Sequence, residues 1–458
     1  MRAVRILAVL AAMVVIVAVV AVALAWRTEI APDATAATAK FDPAMVREGA
    51  KLAAMGNCIA CHTVPGSNAF AGGLELPTPF GQIYSPNITP DPETGIGLWS
   101  EAAFLRAMRK GVERLGRHLY PAFPYDHFTL VSDEDNRALY AYLMTREPVH
   151  AVAPANELRF PFNIRMLIAG WKLLFFKEGP FVAQQQQSAE WNRGAYLSEG
   201  LGHCGGCHTP RNSLGAEEKS KHFAGGEAEG WQAYAINSAS PAPIPWNQES
   251  MAFYLRNGWH DFHGVSRGPM AEVTGNLGTV PDADVRAIAT YVVGVMDPPS
   301  EERRAEGDRL REAFKFPHRV TPSPGDNSAG AAIYKSACST CHDSGQPLPF
   351  GGLNFELSTA ADAPNPQNII NVTLFGLPPN GNAPGSIMPA FGSVLSDRQM
   401  VDLLTYLRQR YSQQPMWNDL AGLVSRTRSG EYPVVVLPAD GIERAPANVG
   451  APGTEVSQ

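Results

Sequence analysis

The chain has 458 residues, with 37 Lys and Arg against 44 Asp and Glu and a formal net charge of −7. That length suggests about three domains, and an apolar share of 45% gives each of them material for a core. The mildly acidic balance argues against a nucleic-acid surface, which needs clustered positive charge.

Arg2 and Arg5 precede an apolar run from Ile6 to Trp26. Positive charge before such a run keeps the N-terminus in the cytoplasm and sends the following chain across the membrane. The run is longer than a signal-peptide core of about 7–15 residues and matches the roughly 20 residues that span a bilayer. It reads as a retained membrane anchor. A signal peptide cleaved after Ala23-Leu24-Ala25 is the alternative.

Beyond this segment (1–42, with its linker) one unit is written three times, over 43–147, 190–296 and 326–411. Each unit opens on a short helical pattern with glycine on one face, at Gly49, Gly194 and Gly330. Each then carries Cys-x-x-Cys-His: Cys58, Cys61 and His62; Cys204, Cys207 and His208; Cys338, Cys341 and His342. A second helix ends at a glycine, Gly111, Gly258 or Gly376. A closing helix starts at Ser132-Asp133, Pro281-Asp282 or Ser396-Asp397 and carries Tyr142, Tyr291 or Tyr406 on its buried face. Residues 148–189 form a Pro-containing linker with an apolar stretch, Ile164 to Phe176, too short to cross a bilayer. The expectation is a helix packed on a neighbouring domain, with partner docking or membrane contact as the alternative. Residues 297–325 are a second linker, charged and then Pro-rich, and 412–458 form a tail expected to be disordered beyond Leu437.

Cys-x-x-Cys-His is the attachment signature of c-type haem. Two thiols three residues apart form thioethers with the porphyrin vinyl groups, and the adjacent histidine lies under the iron. All six cysteines of the chain fall in these motifs, which leaves none for a disulfide framework. The next pair stands more than a hundred residues away, too far for the second half of a zinc site. Three covalently bound haem c groups are therefore expected, with His62, His208 and His342 as proximal ligands.

The repeat also points to sixth ligands. Twelve residues after Gly258 and Gly376 stand Met270 and Met388, and methionine partners histidine on haem iron. The same count from Gly111 reaches Phe123, which cannot ligate. His127, His118 or Met108 is left as a substitute, with His127 the first choice, or the first iron stays five-coordinate.

Thr78-Pro-Phe-Gly-Gln-Ile-Tyr-Ser-Pro-Asn-Ile-Thr-Pro-Asp91, Thr94 to Ser100 and Leu119-Tyr-Pro-Ala-Phe-Pro-Tyr125, together with the three haem motifs, resemble the triple-haem cytochrome c subunit of bacterial membrane-bound dehydrogenases. That group serves quinoprotein alcohol dehydrogenases, flavoprotein gluconate and fructose dehydrogenases, and molybdenum hydroxylases of the xanthine dehydrogenase family. The N-terminal run, Phe123 and Gly170-Trp-Lys-Leu-Leu-Phe-Phe176 look most similar to the cytochromes paired with molybdenum hydroxylases. The resemblance implies an all-α fold of three tandem cytochrome c-like domains behind the anchor. It also implies a periplasmic place at the cytoplasmic membrane and a large dehydrogenase partner with molybdopterin, quinoprotein or flavoprotein chemistry. Electrons would pass to ubiquinone or another respiratory acceptor. No dinucleotide fingerprint, P-loop or hydrolase elbow is present, so substrate oxidation is expected on another chain. The alternatives are a soluble multihaem carrier and a self-sufficient haem enzyme working through an open first haem.

Overall fold

A computed structural model describes residues 2–314, 328–348, 351–377 and 388–431. The chain divides into two compact units: residues 1–53 with 61–182, and residues 54–60 with 183–458.

In the first unit the helix Pro43–Met55 crosses the helix Asp133–Met144. Gly49 makes this crossing possible, because a Cβ there would stand 2.7 Å from the Cβ of Tyr142 and still closer to the Ala138 carbonyl. Asp133–Met144 begins where Ser132 accepts from the Asp135 N–H at 3.0 Å, satisfying one of the free donors of the first turn. The helix Glu101–Lys110 packs on Asp133–Met144, where Phe104 meets Tyr140 with ring centroids 5.7 Å apart, and buries Phe104, Ala107 and Met108. It ends at Gly111 in the left-handed region, φ 58°. The segment after residue 147 adds the helix Leu167–Phe175, which is held where Lys172 Nζ donates to the carbonyls of Lys110 and Gly111 at 2.6 and 2.7 Å. One face of this helix meets Tyr125 through Trp171, while Leu173 stays 86% exposed.

The second unit repeats the crossing twice. Gly194 of Ala189–Glu199 lies against Asp282–Val295, and Gly330 of Ala329–Ala337 against Asp397–Tyr411. Added Cβ atoms would reach Tyr291 Cβ at 2.8 Å and Tyr406 Cβ at 2.7 Å. The charged part of the second linker is a helix, Glu301–Ala313, which buries Leu310 beside Ile244 and Leu357. The chain after residue 411 also folds: Trp417, Leu420 and Val424, the last two in the helix Leu420–Ser429, join the core around Ile370 and Leu404. The Pro-rich end of the linker and the tail beyond Leu437 lie outside the described residues.

Two expectations fail here. The fold is not all-α, because seven short strands form three antiparallel sheets among the described residues. Strands β1 (Glu75–Thr78), β2 (Gly81–Tyr84) and β3 (Glu157–Leu158) make the first sheet, with Glu75 opposite Tyr84 and Gly81 opposite Leu158. Strands β4 (Gly226–Ala228) and β5 (Trp231–Ala233) pair across Glu229-Gly230, both at positive φ, as a two-residue hairpin turn of the primed type requires. Strands β6 (Trp259–His260) and β7 (Gly264–Val265) close a third hairpin. Strands of two to four residues carry too little alternation to be read from sequence.

The expected N-terminal membrane anchor is not found either. Arg2–Ala25 is helical, but among the described residues no helix is long and apolar enough to cross a membrane. Arg2 and Arg5 lie inside the first turns of that helix. Its last residue, Ala25, is buried with its carbonyl bound to His118 Nε2 at 2.8 Å, so this end is tied to the folded unit.

Candidate functional site

Each Cys-x-x-Cys-His sequence forms one short helical turn that lifts its histidine toward a backbone carbonyl of a later loop. His62 Nδ1 lies 2.8 Å from Pro86 O, His208 Nδ1 2.7 Å from Tyr234 O, and His342 Nδ1 2.7 Å from Leu353 O. A carbonyl can only accept, so the ring proton is on Nδ1 in all three, and Nε2 keeps its lone pair. Burial lowers the pKa of each imidazole and keeps it neutral, as an iron ligand must be. Such a hydrogen bond behind a metal-bound histidine fixes the ring and raises its basicity.

The small sheets now have a purpose. Pro86 follows β2 by two residues and Tyr234 follows β5 directly, so these hairpins deliver the carbonyls that hold His62 and His208. Two glycines complete the arrangement: Gly72 and Gly225 each return an N–H to the carbonyl of His62 or His208, at 2.8 Å in both cases. Both have positive φ, 71° and 92°. Phe70 and Phe223, just before, are also at positive φ, and each donates its N–H to the threonine after the histidine, Thr63 or Thr209. Gly352 lies so close behind His342 that a Cβ would come within 3.0 Å of the ring. These residues do not stand out from the haem motifs alone, although Phe70-Ala-Gly-Gly73, Phe223-Ala-Gly-Gly226 and Phe350-Gly-Gly352 are a visible repeat that could have found them.

All six cysteines are free thiols, so no disulfide competes for them. Burial pushes the Cys204 thiol up to about 12, and Cys207 and Cys338 to about 11, levels that suppress thiolate and dithiol exchange. Paired thiols in their reduced form beside a neutral histidine with its Nε2 lone pair fit covalent haem c, and buried aromatic rings of the same segments pack against one another. Among these, Phe70 meets Tyr142 edge-on at 6.1 Å and Phe223 meets Tyr291 at 6.2 Å.

Among the described residues the backbone hydrogen bonds after the three glycines differ in register. Leu119 N–H returns to Gly111 O at 2.8 Å and Ser266 N–H to Gly258 O at 2.7 Å, each eight residues after the glycine. Phe123 and Met270 each stand four residues further, in matching positions. In the third segment Leu377 and Met388 instead exchange both backbone hydrogen bonds, at 2.8 and 3.0 Å. Met388 thus lies in the ladder itself, and an equal count in sequence is not an equal place in structure. Met270 is the second residue of the helix Pro269–Leu277, held by Gly268 packed flat on Trp231.

Around Phe123 the ring stacks edge-on against Phe128 at 5.2 Å. His127 is buried in the turn Tyr125–Phe128, and Met108 is buried in the helix Glu101–Lys110. His118 has both nitrogens engaged, Nε2 by Ala25 O and Nδ1 by Lys172 Nζ at 3.2 Å. Burial pulls the Lys172 ammonium down to about 7, with Arg27 adding repulsion.

In the second unit, the third segment grips the second. Asn368 donates to Gln232 O and accepts from Gln232 N–H, both at 2.8 Å, in the manner of a neighbouring strand. Buried Asn371 donates to Gly230 O at 2.9 Å. The stretch 230–234 that they hold contains Trp231 beneath Gly268 and Tyr234 behind His208.

Comparison with known proteins agrees with this chemistry. Residues 46–147 match the cytochrome c family model, and residues 325–407 match that of cytochrome c oxidase, cbb3-type, subunit III. The chain is 44% identical over 411 residues to a nicotinate dehydrogenase subunit of Pseudomonas putida, covering 89% of this chain but 34% of that relative's length. It is 34% identical to the fructose dehydrogenase cytochrome subunit of Gluconobacter japonicus, over 87% of this chain and 86% of that one. It is 37% identical to the gluconate 2-dehydrogenase cytochrome c subunit of Pantoea cypripedii, over 80% and 85%. Covalently bound haem c and a catalytic dehydrogenase partner go with that kinship. The chain belongs to the family of cytochrome c subunits of bacterial dehydrogenase complexes, electron-transfer components rather than the catalytic subunits.

Proposed function

We propose that the chain holds three haems, one per Cys-x-x-Cys-His segment, and relays electrons from a dehydrogenase to ubiquinone or another respiratory acceptor on the periplasmic side of the cytoplasmic membrane. The observation that carries the reading is the threefold repetition of one arrangement, a histidine next to paired thiols with Nδ1 bound to a carbonyl. Haem supplies a reversible one-electron couple at iron. The residues of the chain do the rest. The thiols of each pair fix the porphyrin, and Pro86, Tyr234 and Leu353 orient the proximal rings. Met270 and Met388 are the proposed sixth ligands of the second and third irons. The first iron takes His127 or lacks a strong sixth ligand, because Phe123 occupies the place that Met270 fills.

The proposed partner is a molybdenum hydroxylase oxidising an N-heterocycle. Its support is the 44% identity to the nicotinate dehydrogenase relative, against 34% and 37% to the fructose and gluconate relatives. A quinoprotein or flavoprotein partner is the second reading, favoured by the more complete coverage of those relatives. The test is co-purification from native membranes followed by cofactor analysis of the large subunit. The complex should reduce the haems when given an N-heterocyclic substrate, whereas the chain alone should not. Substrate-dependent haem reduction by the isolated chain would overturn the relay.

A further inference from the structure

An arginine clasp recurs at the start of each closing helix. In the first unit Arg109 Nη2 donates to Val131 O at 3.1 Å and pairs with Asp133 at 2.7 Å. In the second segment Arg256 Nη1 donates to Val280 O at 3.0 Å, and its Nε lies 4.0 Å from Asp282. In the third, Arg428 Nη2 donates to Leu395 O at 2.7 Å and its Nε to Asp397 at 2.5 Å. The acceptors correspond in all three: the carbonyl just before the capping residue (Ser132, Pro281 or Ser396) and the aspartate just after it.

The donors do not correspond. Arg109 and Arg256 each stand two residues before the glycine that ends the middle helix, Gly111 or Gly258. The same place before Gly376 holds Leu374, 3% exposed in the core. Arg428 comes instead from the helix Leu420–Ser429, beyond the third repeat. Leu420 and Val424 seat that helix in the core, and Gln367 Nε2 donates to the buried Thr427 Oγ1 at 2.9 Å.

The chain between each glycine and its closing helix carries the sixth-ligand position, Phe123, Met270 or Met388. In the first two segments the arginine ties one end of this loop to the other, since it stands on the middle helix and bonds to the start of the closing one. In the third, the backbone of the loop itself reaches the middle helix: the Phe391 and Gly392 N–H groups donate to Thr373 O and Leu374 O at 3.0 and 3.1 Å. Arg428 then takes the Gly392 carbonyl as well as that of Leu395, so its rigid planar fork spans the turn that joins Met388 to the closing helix. Asp397 is 41% exposed, which makes the ion pair alone a weak tie, and the two carbonyl bonds hold the turn.

We propose that Arg109, Arg256 and Arg428 are positioning residues that keep the sixth-ligand loops closed, and that Arg256 and Arg428 thereby hold Met270 and Met388 on the second and third irons. The inference rests on the reading of the two methionines as ligands and adds what keeps them in place. It also gives the helix Leu420–Ser429 a role, to supply the arginine that Leu374 replaces in the third segment. Each arginine acts through the loop and not on the iron. For a methionine to leave, its loop must open and break the clasp, so the clasp sets the open fraction, and a competing ligand binds in proportion to that fraction.

The test uses the full-length haem-loaded protein carrying Met270→Leu, in which the remaining sulfur-to-iron charge-transfer band belongs to the third haem. Imidazole is the probe, because it displaces the thioether from ferric iron and the band is lost as it binds. Arg428→Gln should lower the imidazole concentration at half-loss of the band by about tenfold or more, the effect of losing a charge-assisted hydrogen bond. Arg428→Lys keeps the charge without the planar fork and should fall between. Arg426→Gln, on the same helix but paired with Asp419, should leave the midpoint unchanged. Arg256→Gln should act likewise on the second haem, read in Met388→Leu protein. An Arg428→Gln protein that unfolds at lower guanidinium but needs as much imidazole as its parent would reduce the arginine to a structural tie and overturn the role. If the glutamine variant does not load haem, the lysine variant decides by the same readout, and an unchanged midpoint overturns the role. A Met270→Leu protein without any charge-transfer band would mean that Met388 is not a ligand, and both readings would fall.

Discussion

Gly194→Ala tests the helix crossing that organises each motif segment. The added methyl would stand 2.5 Å from the Ala287 carbonyl carbon and 2.8 Å from Tyr291 Cβ, whereas carbon atoms rest at about 3.5–4.0 Å. The helices must part by about 1 Å. Both obstacles are backbone or Cβ, so no side-chain rotation relieves the clash. Overpacking of this kind costs about 1–3 kcal/mol, offset by up to about 1 kcal/mol from the better helix propensity of alanine. A net loss of up to about 3 kcal/mol is expected. Gly275→Ala is the matched control: it lies in the helix Pro269–Leu277 with nothing within 4 Å of the added atom. That variant should be neutral or more stable by about 0.5–1 kcal/mol. Guanidinium unfolding of both, followed by far-ultraviolet circular dichroism, decides the matter. Equal stability of the two variants would refute the crossing as the cause.

Phe123→Met should convert the first haem to His/Met ligation and raise its potential, read by redox titration, because Phe123 and Met270 occupy matching places after their glycines. Met270→Leu and Met388→Leu should each remove one sulfur-to-iron charge-transfer band, and Met108→Leu none. Asn368→Ala removes two hydrogen bonds to Gln232, costs about 2 kcal/mol, and should move the potential of the second haem. Asn368→Gln tests how closely the clasp is fitted. Lys172, lowered to about 7 by burial, binds fewer protons folded than unfolded between about pH 7 and its ordinary value near 10.4. Stability of the first unit should therefore rise across that window, by at most about 1.4 kcal/mol per pH unit, and Lys172→Met should remove the rise.

Much of the fold was legible because packing repeats in sequence. The crossing glycines Gly49, Gly194 and Gly330, the Ser132, Pro281 and Ser396 helix starts and the Gly111, Gly258 and Gly376 helix ends all stand where the repeat puts them. The strands were hidden, since β4 and β5 turn on Glu229-Gly230 rather than on Asn-Gly, and each has three residues. The carbonyls of Pro86, Tyr234 and Leu353 leave no mark on residue type at all. The apolar run at the N-terminus misled by its length, because a run of apolar residues does not record what its end is bonded to. Residues 301–313 read as linker from their charges, yet Leu310 and Gly307, buried on one face, seat a helix there. Counting twelve residues after each glycine reaches Met270 and Met388 alike, and what the count could not show is that Met388 bonds back to Leu377 while in the second segment Ser266 bonds back to Gly258.

The central claim is tested most directly by intact-mass measurement on the purified chain after acid–acetone treatment, paired with pyridine haemochrome absorbance. The account requires a mass above the polypeptide by three haems, all resisting extraction. A mass with fewer than three haems, or zinc at the cysteines without haem absorbance, would contradict it.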